Sequence, residues 1–354
     1  MKIAFNIFPL VSGHKTRGVG SYTRNILEKL KETDLEVQEF TNINEIKDTD
    51  VIHYPWFDLF FKTLRLKGNI PTIVTVHDVM PLIFSKNYPV GLKGKLNFYF
   101  QKRSLRKCKK IITDSECSKK DIVKFLGISG DKIVVIPVAA SSEFKPLVDS
   151  NLLGLKRKYN LPDRFILYVG DANFVKNLPF LIRGFKILRE DLKFQDLKLA
   201  LVGGVFLKKV ENINHPELES LKQVNRLIKE YQLDNFVIRP GQIREKDLVG
   251  FYNLAILYVQ PSFYEGFGLP VLEAMSCGTP VVSSKASSLP EVGGEVSVYF
   301  DPENLKQFTS TVKEVLQDKS LQTRLSELGL KRASQFSWER TAREVSKVYE
   351  EVAK

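Results

Sequence analysis

The sequence predicts an α/β protein of two domains, each built on a parallel β-sheet that helices cover on both faces. The length of 354 residues favours two domains over one. Short, continuously apolar runs alternate with longer amphipathic segments, and this alternation resumes after residues 141–160. Continuous apolar strands are typical of parallel sheets that are buried on both faces, so each half should be a doubly wound sheet.

In the first half, six apolar runs predict strands, and amphipathic segments between them predict helices. The strands are expected at Ile3–Phe8, Val37–Phe40, Val51–Tyr54, Thr72–Val76, Lys110–Thr113 and Ile133–Ile136. The helices include Ser21–Lys31, Leu92–Lys107 and Ser118–Leu126. Residues 1–145 should form the first domain.

The second half repeats the pattern, and residues 146–336 should form the second domain. Its strands are expected at Phe165–Val169, Leu197–Val202, Phe236–Ile238, Ile256–Gln260, Pro280–Ser283 and Ser297–Phe300. Its helices include Leu178–Arg189, Glu217–Tyr231, Glu245–Asn253 and Leu305–Gln317. We expect Ser141–Asn160 to join the two domains as a hinge, with ligands bound beyond the carboxyl ends of the strands.

Composition excludes several classes of protein. Three scattered cysteines lack metal-ligand spacing and fit reduced thiols better than a disulfide framework. The segment Lys2–Phe8 reads as a first strand rather than a signal peptide, and no apolar stretch reaches the length of a transmembrane helix. These features predict a cytoplasmic protein.

The formal charge of +12 is concentrated in the first half, where residues 1–150 hold 24 Lys and Arg against 16 Asp and Glu. Residues 93–110 combine eight basic residues with Phe98, Tyr99 and Phe100, and no acid lies among them. Residues 56–66 mix aromatic residues with Lys62 and Arg65. Such segments suit the anionic inner face of a membrane, whereas no nucleic-acid recognition motif is present. The alternative is that they are ordinary domain segments with aromatic residues inward and lysines outward.

The run from Glu265 to Glu273 is the most informative part of the sequence. It follows the predicted strand Ile256–Gln260, and its glycines allow a tight turn into a helix near Pro270. Glu273 is expected in the first helical turn, with Glu265 in the loop that faces it. The amides near 267–269, of Phe267, Gly268 and Leu269, suit a phosphate at the helix start.

Two carboxylates around such a helix start match the chemistry of a nucleotide sugar. A carboxylate can accept hydrogen bonds from two vicinal hydroxyls, so Glu273 suits the ribose and Glu265 the transferred sugar. The helix start would hold the pyrophosphate. Acidic residues are also favoured at helix N-termini for electrostatic reasons, which would explain Glu273 but not Glu265, the glycines and the proline together.

The run resembles the E-x7-E motif of the retaining nucleotide-sugar glycosyltransferases of family 4, which have the GT-B fold. The flanks resemble that family too, in 261–262, 273–282 and 288–294, as do Arg17-Gly-Val-Gly-Ser-Tyr22 and Val76-His-Asp78. The resemblance implies one cleft between two Rossmann-like domains, with the acceptor on the side of the first. It also implies that the C-terminal helix, 337–354, packs back on the first domain.

Further site residues follow from the resemblance. Lys176, after the first strand of the second domain, is expected near the pyrophosphate to stabilise the departing nucleoside diphosphate. A solvent-facing lysine is the alternative, because a helix start disfavours a cation. Many members carry an additional Arg in this loop, where this chain has Asp171 and Val175, so Arg183 or Arg239 could assist.

We expect four further residues to contact the donor and one residue to lie on the acceptor side. Gly18 and Gly20 lie in a glycine loop before Ser21 and could approach a phosphate or sugar. The backbone of Gln242 and Ile243 is expected to hold the base. His53 is equally consistent with lining the acceptor side and with a structural role.

The resemblance implies that His77 lies against the donor sugar near the reacting carbon. There, a neutral imidazole could hydrogen-bond a sugar hydroxyl and steady the developing charge.

The function expected is retaining transfer of a hexose, with mannose from a GDP donor suggested by the subgroup, to a glycan or lipid-linked acceptor. No Asp-x-Asp pair ends a strand, so we expect no metal or other cofactor. A phosphorylase or a nucleotide-sugar isomerase on the same fold remains an alternative, because fold does not fix function. A non-catalytic, membrane-bound scaffold that binds nucleotide sugars is another.

Overall fold

The computed structural model describes residues 1–15, 18–210 and 213–354. They form two compact units, one made of Met1–Ala139 with Phe336–Lys354 and the other of Ala140–Gln335. The sequence placed these boundaries at residues 145 and 337. The C-terminal helix belongs to the first unit.

Each unit contains one six-stranded sheet in which all strands are parallel. The strands are β1 (Lys2–Asn6), β2 (Glu36–Phe40), β3 (Val51–Tyr54), β4 (Thr72–Thr75), β5 (Lys110–Thr113), β6 (Ile133–Val135), β7 (Phe165–Val169), β8 (Lys198–Val202), β9 (Val237–Gly241), β10 (Leu257–Gln260), β11 (Val281–Ser284) and β12 (Val298–Phe300). The strand order is β2-β1-β3-β4-β5-β6 in the first unit and β12-β11-β10-β7-β8-β9 in the second.

Fourteen α-helices connect and cover the strands in the described residues. They are α1 (Phe8–Val11), α2 (Gly18–Lys31), α3 (Met80–Ile83), α4 (Leu92–Lys107), α5 (Glu116–Asp121), α6 (Asp149–Tyr159), α7 (Leu178–Arg189), α8 (Glu219–Glu230), α9 (Glu245–Leu254), α10 (Leu269–Ser276), α11 (Leu289–Gly293), α12 (Leu305–Gln317), α13 (Lys319–Ala333) and α14 (Trp338–Ala353). A π-helical turn, Ile122–Leu126, continues α5.

The central strands β3, β4 and β10 are buried along their whole length because helices cover both faces of each sheet. In the first unit, Ile52, Val74 and Ile111 on neighbouring strands are completely buried in one apolar core. In the second, Leu199 and Leu257 lie in a separate core. Burial of such side chains contributes about 1.5–3 kcal/mol each, which explains why continuous apolar runs predicted the strands.

Helix α14 is held in the first unit by polar as well as apolar contacts. Ser337 caps it by accepting from the Arg340 amide at 3.2 Å. Thr341 Oγ1 donates to the carbonyl of Pro137 at 2.8 Å, and the Tyr349 hydroxyl reaches a strand histidine in the core. This explains why the last residues of the chain belong to its first compact unit.

All twelve predicted strands are present, but three local expectations were wrong. Helix α2 begins at Gly18, so the glycines expected in a loop lie in its first turn. The expected hinge, Ser141–Asn160, contains helix α6, which packs against α9: a Cβ at Gly250 would lie 2.4 Å from Leu155 Cδ2. Helix α10 begins at Leu269, which places Glu273 beyond its first turn.

No helix in the described part of the chain is both long and apolar enough to cross a membrane.

Candidate active site

The second sheet reverses its strand order between β7 and β10. From β7 the chain continues outward to β8 and β9, then returns to β10 on the other side of β7 and proceeds to β11 and β12. The loops after β7 and β10 therefore leave the same edge side by side and diverge. Ligands of open parallel sheets bind at such a point, where the helices on both sides leave a crevice.

Glu265, in the loop after β10, is almost entirely buried and fully paired. Its Oε1 accepts from Gln260 Nε2 at 2.7 Å, from Ser262 Oγ at 2.7 Å and from Lys176 Nζ at 2.8 Å. Its Oε2 accepts from Lys176 Nζ at 2.7 Å. Because Oε1 has three donors and Oε2 has one, Oε2 is the oxygen with capacity to accept from a ligand hydroxyl.

Two hydrogen bonds and a stacked pair of rings hold the Lys176 loop against the Glu265 loop. The amide of Phe263 donates to the carbonyl of Val175 at 2.8 Å, and Asn177 Nδ2 donates to the carbonyl of Pro261 at 3.2 Å. The rings of Phe174 and Phe263 stack with centroids 5.6 Å apart. Asn177 adopts a left-handed conformation with φ of 53°, which asparagine tolerates better than most residues. These contacts fix the two charged side chains relative to each other.

The start of α10 has the geometry of an anion site. Gly268 precedes the helix with φ of +109°, and a Cβ there would lie 2.8 Å from Leu289 Cδ2, so the turn requires glycine. The Ser288 hydroxyl donates to the carbonyl of Phe267 at 2.7 Å and holds the turn. The amides of Gly268 and Leu269 have no acceptor among the described residues. Such amides at the positive end of a helix suit a phosphate group.

Glu273 lies one turn into α10 in a different environment. Its Oε2 accepts from the Tyr252 hydroxyl at 2.8 Å. Burial raises the pKa of Glu273 to about 7, and the Tyr252 hydrogen bond offsets only part of this effect. Within the described residues, no cation pairs with this carboxylate. Near neutral pH it can therefore exchange a proton.

In the first unit, His77 and Asp114 follow the neighbouring strands β4 and β5. His77 Nδ1 lies 2.6 Å from Asp114 Oδ2, and Nε2 lies 3.2 Å from the carbonyl oxygen of Pro55. Tyr22 packs edge-on against the imidazole, with centroids 4.7 Å apart. Both partners are acceptors, so both ring nitrogens donate and the imidazole is charged in this arrangement.

The charge on His77 changes the role expected for it. Burial opposes protonation, but the charge and hydrogen bond of Asp114 outweigh burial and raise the pKa of His77. These contacts favour the imidazolium over the neutral imidazole that the sequence suggested. An imidazolium donates from both nitrogens and accepts from neither, so this residue can act on a ligand only as a donor or a positive charge.

His53 has no exposed surface and cannot line an acceptor site. Its ring nitrogens lie 2.6 Å from the Tyr349 hydroxyl and 2.9 Å from Thr75 Oγ1. Burial lowers the pKa of His53 to about 3, so the ring is neutral and one nitrogen donates while the other accepts. Of the two roles that the sequence allowed, the structural one is correct.

Comparisons with known families agree with this geometry. A model of "Glycosyl transferases group 1" matches residues 155–332, and a model of "Glycosyltransferase Family 4" matches residues 37–141. The chain belongs to the group 1 glycosyltransferases. The GT-B fold expected for such a glycosyltransferase is confirmed by the two parallel sheets and by a structural match to sucrose-phosphate synthase from Thermosynechococcus elongatus. That match has a TM-score of 0.75 at 21% identity and covers 99% of this chain and 98% of the other.

Two relatives from Escherichia coli are more similar in sequence. The serotype-specific mannosyltransferase WbdA is 31% identical over 77% of this chain, which corresponds to 33% of WbdA. The O-antigen chain mannosyltransferase B is 31% identical over 78% of this chain and 69% of its own length. This glycosyltransferase thus spans about a third of WbdA and about two thirds of mannosyltransferase B.

The other expected donor residues occupy separate places in this glycosyltransferase. Gly18 has open space around its Cα, whereas a Cβ at Gly20 would lie 2.4 Å from the carbonyl oxygen of His14, which explains that glycine by packing alone. Arg17 lies outside the described residues. Gln242 is exposed and Ile243 half-buried, immediately after the edge strand β9. No hydrogen bond links them to Lys176 or to the two glutamates within the described residues.

Neither arginine suggested as a substitute joins Lys176 by a contact in the described residues. Arg239 lies on the edge strand β9 and donates to Asn225 Oδ1 at 3.3 Å, whereas Arg183 is exposed on α7. In the Lys176 loop, the positions considered for the additional arginine are occupied by Asp171, which is exposed, and Val175, which is buried. Lys176 is therefore the cation that the structure brings to the β7 and β10 loops.

Sequence reasoning missed four residues that orient the expected ones. Gln260 and Ser262 hold Glu265, Tyr252 holds Glu273, and Asp114 holds His77. A signal existed for Asp114, because it directly follows a strand predicted next to the one that His77 follows. Tyr252 lies on α9, with no local pattern that points to Glu273.

The charge state of His77 can be tested by NMR titration of the four histidines. We expect His77 to titrate above about 6.5, the ordinary pKa of histidine, and His53 not to titrate between about pH 5 and pH 9. Asp114→Asn should lower the pKa of His77 to below that ordinary value, because burial then dominates. The same change at the exposed Asp48 is the control and should leave His77 unaffected.

The pH dependence of the free energy of unfolding gives a second test of the ion pair between His77 and Asp114. A raised histidine pKa stabilises the folded state fully below the unfolded-state pKa, and this contribution is lost as pH rises through the folded-state value. The free energy of unfolding should therefore differ more between wild type and Asp114→Asn at about pH 6 than at about pH 9. An equal difference at both pH values, or an unchanged His77 titration, would contradict the ion pair.

Proposed function

We propose that this chain is a retaining glycosyltransferase that moves a hexose from a nucleoside-diphosphate sugar to a glycan or lipid-linked acceptor. Mannose from a GDP donor is the leading candidate, because both E. coli relatives are named mannosyltransferases. The observation that carries the proposal is the grouping of Glu265, Lys176 and the start of α10 at the strand-order reversal, with Glu273 one turn further on.

Each part of this group suits one part of a nucleotide sugar. Glu265 Oε2 has the capacity to accept from a hydroxyl of the transferred hexose. The amides of Gly268 and Leu269 suit the pyrophosphate, and the Glu273 carboxylate suits the two ribose hydroxyls. Lys176, fixed by Glu265, supplies positive charge where negative charge develops on the departing diphosphate.

A mechanism without a protein nucleophile fits these residues. The acceptor hydroxyl attacks the anomeric carbon on the face from which the diphosphate departs. The bond from carbon to the phosphate oxygen breaks, and that oxygen takes the acceptor's proton. Lys176 stabilises the charge on the departing oxygen, so we propose that no metal ion is needed and that a chelator leaves the rate unchanged. A charged His77 would act on the sugar through its positive charge, because Asp114 and the Pro55 carbonyl already accept from its two ring nitrogens.

A thermal-shift panel tests the donor class. We would compare GDP, UDP, ADP, CMP and dTDP, each alone and as common sugar conjugates. A ligand at about 100 times its Kd should add roughly 2.7 kcal/mol of stability. We expect stabilisation by one nucleotide family, followed by transfer or slow hydrolysis of its mannose conjugate. No stabilisation by any of them would contradict the donor site. Binding without turnover would favour the scaffold, and sugar 1-phosphate release with inorganic phosphate would favour a phosphorylase.

Substitutions of Glu273 and Glu265 should affect different quantities, namely ligand affinity and kcat. With the nucleotide sugar selected by the panel, Glu273→Gln should weaken binding by roughly tenfold, equivalent to about 1.4 kcal/mol. Glu265→Gln should lower kcat by roughly 10²–10³-fold with a smaller change in Kd, because its contacts lie at the reacting sugar. Glu303→Gln, at an exposed position, is the matched control. Equal nucleotide affinity in wild type and Glu273→Gln would contradict the ribose assignment.

The pKa of Glu273 predicts pH-dependent binding. Hydroxyls donate to the ionised carboxylate, so affinity should rise as pH increases through about 7 and then level off. A nucleotide sugar is the right probe, because its doubly esterified pyrophosphate keeps its charge over this range. Calorimetric titrations should show this rise in wild type and its loss in Glu273→Gln. A parallel pH dependence in both proteins would assign the titration to another group.

A further inference from the structure

Helix α4 exposes a group of large apolar residues on its outer face. Leu92, Leu96, Tyr99 and Phe100 have between 48% and 86% of their surface exposed. Their spacing places them on one face of the helix. An aromatic and aliphatic stripe on the outer face exposes apolar surface that folding ordinarily buries. The alternative that aromatic residues point inward is therefore wrong for this stripe.

The opposite face of α4 buries two amides beside the fully buried Leu105. Asn97 Nδ2 donates to the carbonyl of Phe60 at 2.9 Å. Gln101 Nε2 donates to the carbonyl of Asp58 at 3.3 Å and to Thr63 Oγ1 at 3.0 Å. Because these buried amides are satisfied, the helix is held in this orientation, and rotating it to hide the stripe would break all three bonds.

The same bonds attach the turn 58–63 to α4 and add another exposed aromatic residue. The Asp58 carboxylate accepts from the amides of Phe60 and Phe61 at 2.7 and 2.9 Å, which fixes the turn. Phe61 is 68% exposed, and Lys62 beside it is exposed too. The acidic group in this turn is thus engaged by backbone donors, and the turn presents an aromatic ring and a lysine outward.

Basic residues border the apolar stripe on both sides. At 100° per residue, Lys93 lies on one side of it and Lys95, Lys102 and Arg106 lie on the other, whereas Lys107 lies within its angular range. Arg103 lies within the stripe. Helix α4 contains no acidic residue, so its whole exposed surface is positive around an apolar centre. A helix of this kind lies in the plane of a bilayer, with apolar groups at the acyl boundary and cations among the headgroups.

We propose that this surface, made of α4 and the turn 58–63, docks the protein on an anionic lipid bilayer. Anionic lipid is the occupant that matches both observations, because it offers negative headgroups immediately above an apolar layer. A protein partner would need an apolar patch surrounded by acids. The donor carboxylates lie in the other compact unit, so the proposal can fail without affecting the proposed function.

Vesicle sedimentation with the full chain tests the surface. The vesicles would be phosphatidylcholine alone or with roughly one-third phosphatidylglycerol, at low and high salt. We expect binding to the anionic vesicles that salt weakens, and little binding to the neutral ones. Leu96→Asn/Phe100→Asn should lower the partition coefficient more than tenfold. Lys93→Gln/Lys107→Gln should lower it roughly 25-fold, at about fivefold for each basic residue.

Matched controls separate the surface from general charge and hydrophobicity. Leu153→Asn/Leu192→Asn and Lys319→Gln/Lys331→Gln make the same changes at exposed positions of the other unit and should bind like wild type. All variants change exposed side chains, so their melting temperatures should match that of wild type.

Several results would overturn the proposal. They are no binding of wild type to anionic vesicles, equal binding to neutral vesicles, and surface variants that bind like the controls. Sedimentation velocity adds one more: a wild-type dimer that Leu96→Asn/Phe100→Asn dissociates would make a second copy of the chain the occupant.

Discussion

The ion pair between Glu265 and Lys176 is the interaction on which the donor half of the molecule depends. Only 8% of the surface of Glu265 is exposed. Burying a carboxylate to this extent costs free energy of folding unless a positive charge and hydrogen bonds compensate it. Here a lysine and two neutral donors do so. Removing one partner would leave a buried charge uncompensated. The positions of the Lys176 loop and the Glu265 loop therefore both depend on compensating the charge of this buried carboxylate.

That requirement can be met only because of the sheet topology. Glu265 and Lys176 are 89 residues apart in the chain, and the return of β10 to the side of β7 makes their loops neighbours. Asn177 then bonds the carbonyls of Pro261 and Pro302, so three separate segments meet at one side chain. The same crossover that leaves a crevice at the sheet edge also brings together the charges that line it.

The two carboxylates of the motif are held for different tasks by their surroundings. Glu265 has a cation and two further donors, whereas Glu273 has one phenol and a pKa raised to about 7 by burial. Paired carboxylates in different environments commonly divide their roles in this way. A permanently paired group suits a rigid position at the reacting sugar. A group without a cation keeps its acceptor capacity for a ligand that brings its own hydroxyl donors.

The sequence predicted the sheets well because a buried parallel strand leaves a purely local signature. A strand end and a helix start suggested Glu265 and Glu273, and the family resemblance suggested Lys176. The roles of Tyr252 and Gln260 could not be predicted from the sequence, because they depend on contacts that only the folded chain creates. Helix α6 was not predicted within the segment 141–160 that joins the domains, and Asn160 ends it in the left-handed conformation typical of a cap.

Helix α4 shows most clearly why composition could not decide the outcome. Its sequence is equally consistent with aromatic residues inward or outward, since several rings are distributed around the helix. Asn97 and Gln101, together with the fully buried Leu105, set the orientation: a buried amide must find a partner, and the turn 58–63 supplies carbonyl and hydroxyl acceptors. Polar specificity on the inner face therefore determines which apolar residues face solvent. Such an arrangement costs stability in water and regains it only where the outer face meets an apolar layer.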